Sequence, residues 1–209
     1  QGPFNANPPS WTVNGSGVDT ESCPVAPLPS HPSFLFVGRV LRDKGVIEYV
    51  GAARALKPTC PQAAFHLVGP LDSNPSGINA DIVSGWVKEG VVQYHGAVSD
   101  VKPHLAACSI FVLPSYREGT PRSVLEAMSC GRAILTTDAP GCRETVQHGV
   151  NGLLVRPRDS ADLATAMTRL AGSSELREQM GRTSRELAEQ KYDVHRVNAA
   201  MIEAMELRG

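Results

Sequence analysis

From about residue 34 onward, short apolar runs alternate with apolar positions at helical spacing. Phe34-Leu35-Phe36-Val37-Gly38 is a continuous run of strand length and predicts a buried strand. Val46, Val50 and Ala53 then recur at helical spacing up to Leu56, where Lys57-Pro58 stops the helix. Ala64 to Val68 predicts a second strand ending at Gly69-Pro70. Next come a helix over Asn79 to Lys88, a strand over Val91 to Tyr94, and a loop from His95 to Asp100. Residues 101–107 predict a helix with Pro103 in its first turn, and Ser109 to Leu113 a further strand. Ala133 to Thr137 and Gly152 to Val155 complete the strands. Asp159 or Ser160 can cap a helix carrying Leu163, Met167 and Leu170, and Ser174 one carrying Leu176, Met180 and Leu187. A last helical segment runs from about Asp193 to Leu207. Strands alternating with helices predict repeated βαβ units, hence an α/β fold with a parallel sheet.

One stretch concentrates the chemistry. Ser109 to Leu113 leads into Gly119-Thr120-Pro121, a turn into a helix on which Val124, Leu125 and Met128 form an inward stripe. Thr120 is placed to cap that helix and Pro121 to take its first position, where a missing N–H costs nothing. Glu118 and Glu126 frame the unit with seven residues between them. In a parallel sheet this turn lies at the carboxyl edge of the strands, where ligands bind. Helix-terminal amides and two carboxylates therefore predict an anion site beside acceptors for hydroxyl groups. Upstream, Gly38-Arg39-Val40-Leu41-Arg42-Asp43-Lys44-Gly45 joins the first strand to the first helix. It is neither GxGxxG nor a Walker A loop. Lys44 at a helix start opposes the helix dipole, a conflict that an anionic ligand held also by Arg39 would remove. Spacing alone equally allows a solvated Lys44 beside an N-capping Asp43, with Arg39 in a surface ion pair. It also allows Arg122 and Glu126 to be an i,i+4 pair worth ~0.3–0.5 kcal/mol, and Glu118 to serve only the helix N-terminus. A paired-carboxylate hydrolase fits the same spacing.

Composition narrows the partners. The 209-residue chain has a net charge of −1, which gives no electrostatic case for nucleic acid. Its five cysteines (Cys23, Cys60, Cys108, Cys130, Cys142) are odd in number and lack CxxC or Cys/His spacing. The expectation is neither a disulfide framework nor a zinc site, and a reducing cytoplasm. No run approaches the roughly eighteen apolar residues of a membrane span. The chain starts on Gln without a basic-then-apolar leader, and so reads as the start of a fragment, with Gln1-Gly2-Pro3 resembling a tag remnant. Residues 1–32 are rich in Pro, Gly, Asn and Ser, and Cys23 to Pro32 predicts an extended linker. Trp11 and Val13 are candidates to pack on this domain or a neighbour. His95, His104 and His148 are scattered, with no partner at ligand spacing; Ser123 lacks the G-x-S-x-G context, and Cys142 lacks a His and acid to activate it.

Together these pieces resemble the C-terminal domain of retaining GT-B glycosyltransferases of the large bacterial family with the Glu-x7-Glu motif (family 4 type). The matching residues are Val37-Gly38-Arg39…Lys44-Gly45, Tyr94-His95-Gly96-Ala97-Val98-Ser99-Asp100, Pro114 to Gly119 with Val124 to Met128 and Gly131, and Thr145…Gly149…Asn151 to Val155. They occur in the family's order over about residues 34–190, and Asn14 to Asp19 looks like the segment leading out of the family's N-terminal domain. The resemblance implies a Rossmann-like sheet, one half of a two-domain enzyme. Residues 1–32 would be the interdomain segment and linker, 33–190 the nucleotide-sugar domain, and 191–209 a helix crossing to an N-terminal acceptor domain.

The roles it implies are specific. Arg39 and Lys44 match the basic pair at the donor diphosphate, with Gly119, Thr120, Arg122 and Ser123 around the turn whose amides meet sugar and phosphate. Glu126 matches the acid at the ribose, Glu118 the catalytic acid beside the transferred sugar, and Gly96 and Val98 the loop at the base. Family members often have Phe-Gly where this chain has Thr120-Pro121-Arg122, so one amide contact in that turn is lost at Pro121 or supplied otherwise. Implied in turn are a UDP-sugar donor, no cofactor or metal, and transfer of a hexose or N-acetylhexosamine to a saccharide or lipid-linked acceptor in surface polysaccharide synthesis. The enzyme would be cytoplasmic, peripheral to the inner membrane face through its acceptor, and this fragment inactive alone. Rival readings are a non-catalytic nucleotide module, a GT-B-like nucleotide-sugar epimerase resting on Glu118 alone, and a phosphorylase, for which no pyridoxal lysine stands out.

Overall fold

The computed structural model describes residues 15–206. Six strands form one sheet in the order β3-β2-β1-β4-β5-β6, every pairing parallel. They are β1 (Ser33–Val37), β2 (Ala64–Val68), β3 (Gln93–Tyr94), β4 (Ile110–Leu113), β5 (Ala133–Thr137) and β6 (Gly152–Val155). β1, β4 and β5 are buried at every position. With helices on both faces, such strands need unbroken apolar sequence, which is why they read so clearly. Each fully buried Phe, Leu, Ile or Val of this core contributes roughly 1.5–3 kcal/mol.

The helices are α1 (Val46–Leu56), α2 (Ala80–Lys88), α3 (Lys102–Ala107), α4 (Arg122–Ser129), α5 (Ser160–Ala171), α6 (Ser174–Leu187) and α7 (Val194–Glu206). Asn79 caps α2 and Asp159 caps α5 through side-chain oxygens. Tyr49 fastens α1 to the sheet: its hydroxyl lies 3.0 Å from the carbonyl oxygens of both Phe34 and His66. Among the described residues no helix is long and apolar enough to cross a membrane.

Two local expectations are corrected. The strand over Val91 to Tyr94 shortens to two residues, because the Val91 amide still closes α2 on the Trp86 carbonyl (3.0 Å) while Val91 and Val92 fill the core. Ser173, not Ser174, caps α6; its hydroxyl accepts from the Leu176 amide at 3.1 Å. The last helical segment, expected from about Asp193, is α7, and a π-helical turn over Ala188–Tyr192 sets it off from α6.

The N-terminal stretch is held against the domain. Arg132, fully buried, donates to the carbonyls of Cys108 (2.9 Å), Pro27 (3.4 Å) and Ala26. Arg185 donates to those of Thr20, Cys23 and Ser129. Val18 pairs with the start of α7, its amide on the Tyr192 carbonyl (2.8 Å) and its carbonyl on the Val194 amide (2.9 Å). Val197 buries on this domain, whereas Ile202 and Met205 face outward. Trp11, Val13, Asn14 and Leu207 lie outside the described residues.

Candidate functional site

The strand order reverses between β1 and β4, so the crevice at their carboxyl ends is the topological switch point of the sheet. A pocket of about 210 Å³ opens there, lined by Val37 and Gly38 after β1, Leu113 at the end of β4, and Lys44, Glu118, Pro121, Arg122 and Ser123. The β1–α1 connection ends in a 3₁₀ turn, Arg42–Lys44, that no side chain caps; Asp43 lies inside it. Gly45 closes the turn at φ 75°, and a Cβ there would sit 2.1 Å from the Pro114 oxygen. This contact brings the first loop onto the segment after β4.

The consequence is an ion pair. Lys44 Nζ donates to Glu118 Oε1 at 2.6 Å, both side chains mostly buried. Thr137 and Ser115 clamp the segment behind it: the Thr137 hydroxyl donates to the Ser115 carbonyl, and the Ser115 hydroxyl to the Asp43 carbonyl (3.1 Å). The Glu118 amide donates to the Pro140 carbonyl (3.0 Å). Gly141 (φ 82°) comes so close that a Cβ would lie 2.1 Å from the Glu118 oxygen and 2.2 Å from that of Gly119. Cys142 is fully buried, its sulfur 3.9 Å from the Ser115 carbonyl oxygen, and burial pushes its thiol up, which leaves it unsuited as a nucleophile.

Helix α4 begins differently from the sequence expectation. Pro121 is itself the N-cap residue (φ −71°, ψ 111°), and Thr120 makes no cap; no side chain covers the helix N-terminus. Thr120 instead packs against Gly15, where a Cβ would fall 2.6 Å from its own. An uncapped helix start with an adjacent lysine is a site for anionic oxygens. The Ser123 hydroxyl is turned down onto the Val37 carbonyl (3.4 Å), and Gly119 faces open space.

The other predicted residues are distributed around this pocket. Arg39 does not join Lys44: it is half-exposed and donates to Asp72 at 2.9 Å. Asp72 is held below the usual carboxylate range, first by the Asn74 amide and then by Arg39. Glu126 accepts from Arg122 Nε at 3.0 Å across one helical turn, with the arginine largely exposed and the acid mostly covered. The surface-pair readings of Arg39 and of Arg122–Glu126 thus describe what the structure shows. Gly96 (φ 69°) offers its carbonyl to the Gly69 amide (2.8 Å), and Val98 packs partly on the core. A larger hollow of about 590 Å³, between residues 25–28, Gly131 and α6, lies at the opposite edge of the sheet. We place the chemistry in the smaller pocket, because only it combines charges with a helix N-terminus.

Of the histidines expected to be scattered, His95 and His104 come together with His66, while His148 stays apart and accepts from the Leu154 amide. His66 Nδ1 lies 3.1 Å from His95 Nε2, and the His95 and His104 ring centroids are 4.7 Å apart with the planes tilted by 58°. Burial, then repulsion from the neighbouring rings, pushes His66 and His95 below the ordinary 6.5. The folded chain therefore binds fewer protons here than the unfolded chain. The stability these rings contribute is present above pH 6.5 and is lost as the pH falls through their lowered values. A melting series should show Tm falling between pH 7.5 and 5.5, with a smaller fall in His95→Asn; identical slopes would exclude this origin.

The chain matches, over residues 31–173, the family model described as glycosyl transferases group 1. It belongs to that family. The Campylobacter jejuni N,N'-diacetylbacillosaminyl-diphospho-undecaprenol alpha-1,3-N-acetylgalactosaminyltransferase is 40% identical over 146 residues, 70% of this chain and 37% of that protein. Sucrose-phosphate synthase from Thermosynechococcus elongatus superposes with a TM-score of 0.76 at 28% identity, covering 92% of this chain and 50% of that one. Anabaena HepE, solved with UDP and glucose, shares the fold with a TM-score of 0.79 at 24% identity, over 91% of this chain and 55% of that one. The group 1 chain therefore has the architecture of a C-terminal GT-B domain and spans a third to just over half the length of these proteins. Asp72, Tyr116 and the His66–His95–His104 group were missed in the sequence, and none of them carried a local signal. The stretch Gly141 to Thr145, which the sequence offers as the start of another helix near the crevice, forms a 3₁₀ turn over Arg143–Thr145.

Proposed function

We propose that this chain is the donor-binding domain of a retaining glycosyltransferase, taking a UDP-sugar and contributing one side of a cleft whose other side is an N-terminal acceptor domain. The observation that carries the reading is the Lys44–Glu118 pair, 2.6 Å apart, at the mouth of an uncapped helix N-terminus on the sheet's switch point. Breaking the sugar–phosphate bond leaves negative charge on the nucleotide diphosphate. Lys44, the first amides of α4 and a swung-over Arg39 stabilise that charge where it develops. Gly119, Thr120, Arg122 and Ser123 shape the turn at sugar and phosphate. Glu126 exchanges Arg122 for the ribose hydroxyls, Gly96 and Val98 border the base, and Glu118 faces the transferred sugar.

The transferred sugar is an N-acetylhexosamine or hexose and the acceptor a saccharide or lipid-linked saccharide in surface polysaccharide synthesis. The Campylobacter relative, an N-acetylgalactosaminyltransferase acting on a diphospho-undecaprenol-linked sugar, supports the N-acetylhexosamine and the lipid-linked acceptor. Such an acceptor would hold the whole enzyme at the inner face of a membrane. The shared anchoring of Val18 and the start of α7, with Ile202 and Met205 outward, supports residues 1–32 and 191–209 as the two crossings to the acceptor domain. The domain alone then binds donor without transferring it.

Calorimetric titration with UDP tests the reading. Lys44→Ala should weaken binding roughly 10²-fold, the loss of one charge-assisted contact to a diphosphate. Arg39→Ala and Glu126→Gln should weaken it by smaller factors. Unchanged affinity in Lys44→Ala would sink the diphosphate site.

A further inference from the structure

Glu48 stands in the first turn of α1, one helical turn beyond Lys44, and is buried. Its Oε1 accepts a hydrogen bond from the Tyr116 hydroxyl at 2.8 Å. Its Oε2 has no hydrogen-bond partner. A buried carboxylate with one oxygen unpaired is costly, so packing alone does not explain it. A leucine would fill the same space without that cost. The acid must therefore do something that an apolar side chain cannot, and the bond it makes leads directly to the pocket.

Tyr116 is two residues before Glu118. Its amide is fixed on the Asp43 carbonyl (2.9 Å), and its ring is covered by the Arg158 guanidinium 4.6 Å above the centroid. Arg158 adopts φ 60°, the one left-handed non-glycine residue among those described, to reach that place. The ring is thus held on its face by Arg158 and at its tip by Glu48. Burial, reinforced by the bond to Glu48, pushes the Tyr116 hydroxyl up to about 12, so it remains a donor at every working pH. Lys44 and Glu118 then hang from one rigid support, the start of α1: Lys44 directly, Glu118 through Tyr116.

We infer that Glu48 is a positioning residue for Glu118, acting through the hydroxyl of Tyr116. The inference rests on the proposal that Glu118 faces the transferred sugar. It assigns Glu48 to the orientation of the sugar-facing acid rather than to contact with the ligand. Arg158 becomes the second support of the same ring. A group so placed alters how the site treats the sugar more than how it treats the nucleotide.

The test compares this chain's dissociation constants for UDP and for UDP-N-acetylgalactosamine. Their ratio reports the sugar contact, and the melting temperature separately reports folding. Glu118→Gln should shift the ratio. Tyr116→Phe and Glu48→Leu should each shift it the same way, roughly fivefold, the scale of one ordinary hydrogen bond, because the lost bond acts on the sugar only through Glu118. The double variant should be no worse than either alone, because both remove one bond. Glu48→Gln keeps an oxygen for the Tyr116 hydroxyl and should restore the ratio, whereas a role confined to the helix dipole would not be rescued by a neutral side chain. A shifted ratio in Glu118→Gln with an unchanged one in Tyr116→Phe overturns the positioning role alone. An unchanged ratio in Glu118→Gln overturns the placement of Glu118, and this inference with it. Tyr116→Phe removes a single oxygen and keeps the test decisive should Glu48→Leu fail to fold.

Discussion

Transfer by an enzyme carrying this domain should fall roughly 10³-fold in Glu118→Gln, the scale of losing one preorganised polar group at a reacting centre. UDP binding should instead hold or tighten severalfold. Glutamine preserves the shape and leaves an oxygen near Lys44 Nζ, now 2.6 Å from Oε1, but it removes the negative charge that competes with a diphosphate for that lysine. The opposed signs discriminate. A structural acid would lower transfer and UDP binding together through misfolding, and a bystander would change neither. Initial rates with donor and acceptor, set beside a UDP titration of the same variant, decide among the three.

Gly141→Ala should be the most damaging small substitution near the site. Its φ of 82° penalises any side chain, and the added Cβ would stand 2.1 and 2.2 Å from the backbone oxygens of Glu118 and Gly119. Neither atom is the end of a flexible side chain, so backbone must move. We expect a loss of about 3 kcal/mol or more of stability, read as a drop in Tm, with donor binding impaired even below the new melting point. Gly119→Ala makes the control: nothing lies within 4 Å of its Cβ position, and Tm should change little. Equal stability in the two variants would refute the role given to the close approach at Gly141.

The central strands and most helices were legible because their burial is uniform. β1, β4 and β5 have apolar neighbours on both faces, and only a run such as Phe34 to Val37 satisfies that. The edge strand was overread because Val91 and Val92 are buried by α2 and not by strand pairing. At the site, the order of residues along the chain located Lys44, Glu118 and the α4 turn, since a switch-point crevice follows from topology. Pairing was less legible. Arg39 with Asp72, 33 residues apart, or His66 with His95, 29 residues apart, depends on segments after different strands meeting in space, which no spacing rule encodes. The α4 cap was misplaced for a local reason: Thr120 is used up in packing against Gly15, so Pro121 takes the boundary.

The guanidinium groups of Arg132, fully buried, and of Arg185, mostly covered, bear on where this domain can be trimmed. Sequence composition invites a cut just before Ser33, where the proline-rich stretch ends. That cut would strip Arg132 of the Ala26 and Pro27 carbonyls and Arg185 of those of Thr20 and Cys23, leaving Arg132 with the Cys108 carbonyl alone and Arg185 with Ser129 and Glu189. The smallest piece that can be expected to express in soluble form therefore begins no later than Val18, whose backbone also secures the start of α7. A stretch with the composition of a spacer is, in physical terms, the outer wall of the fold.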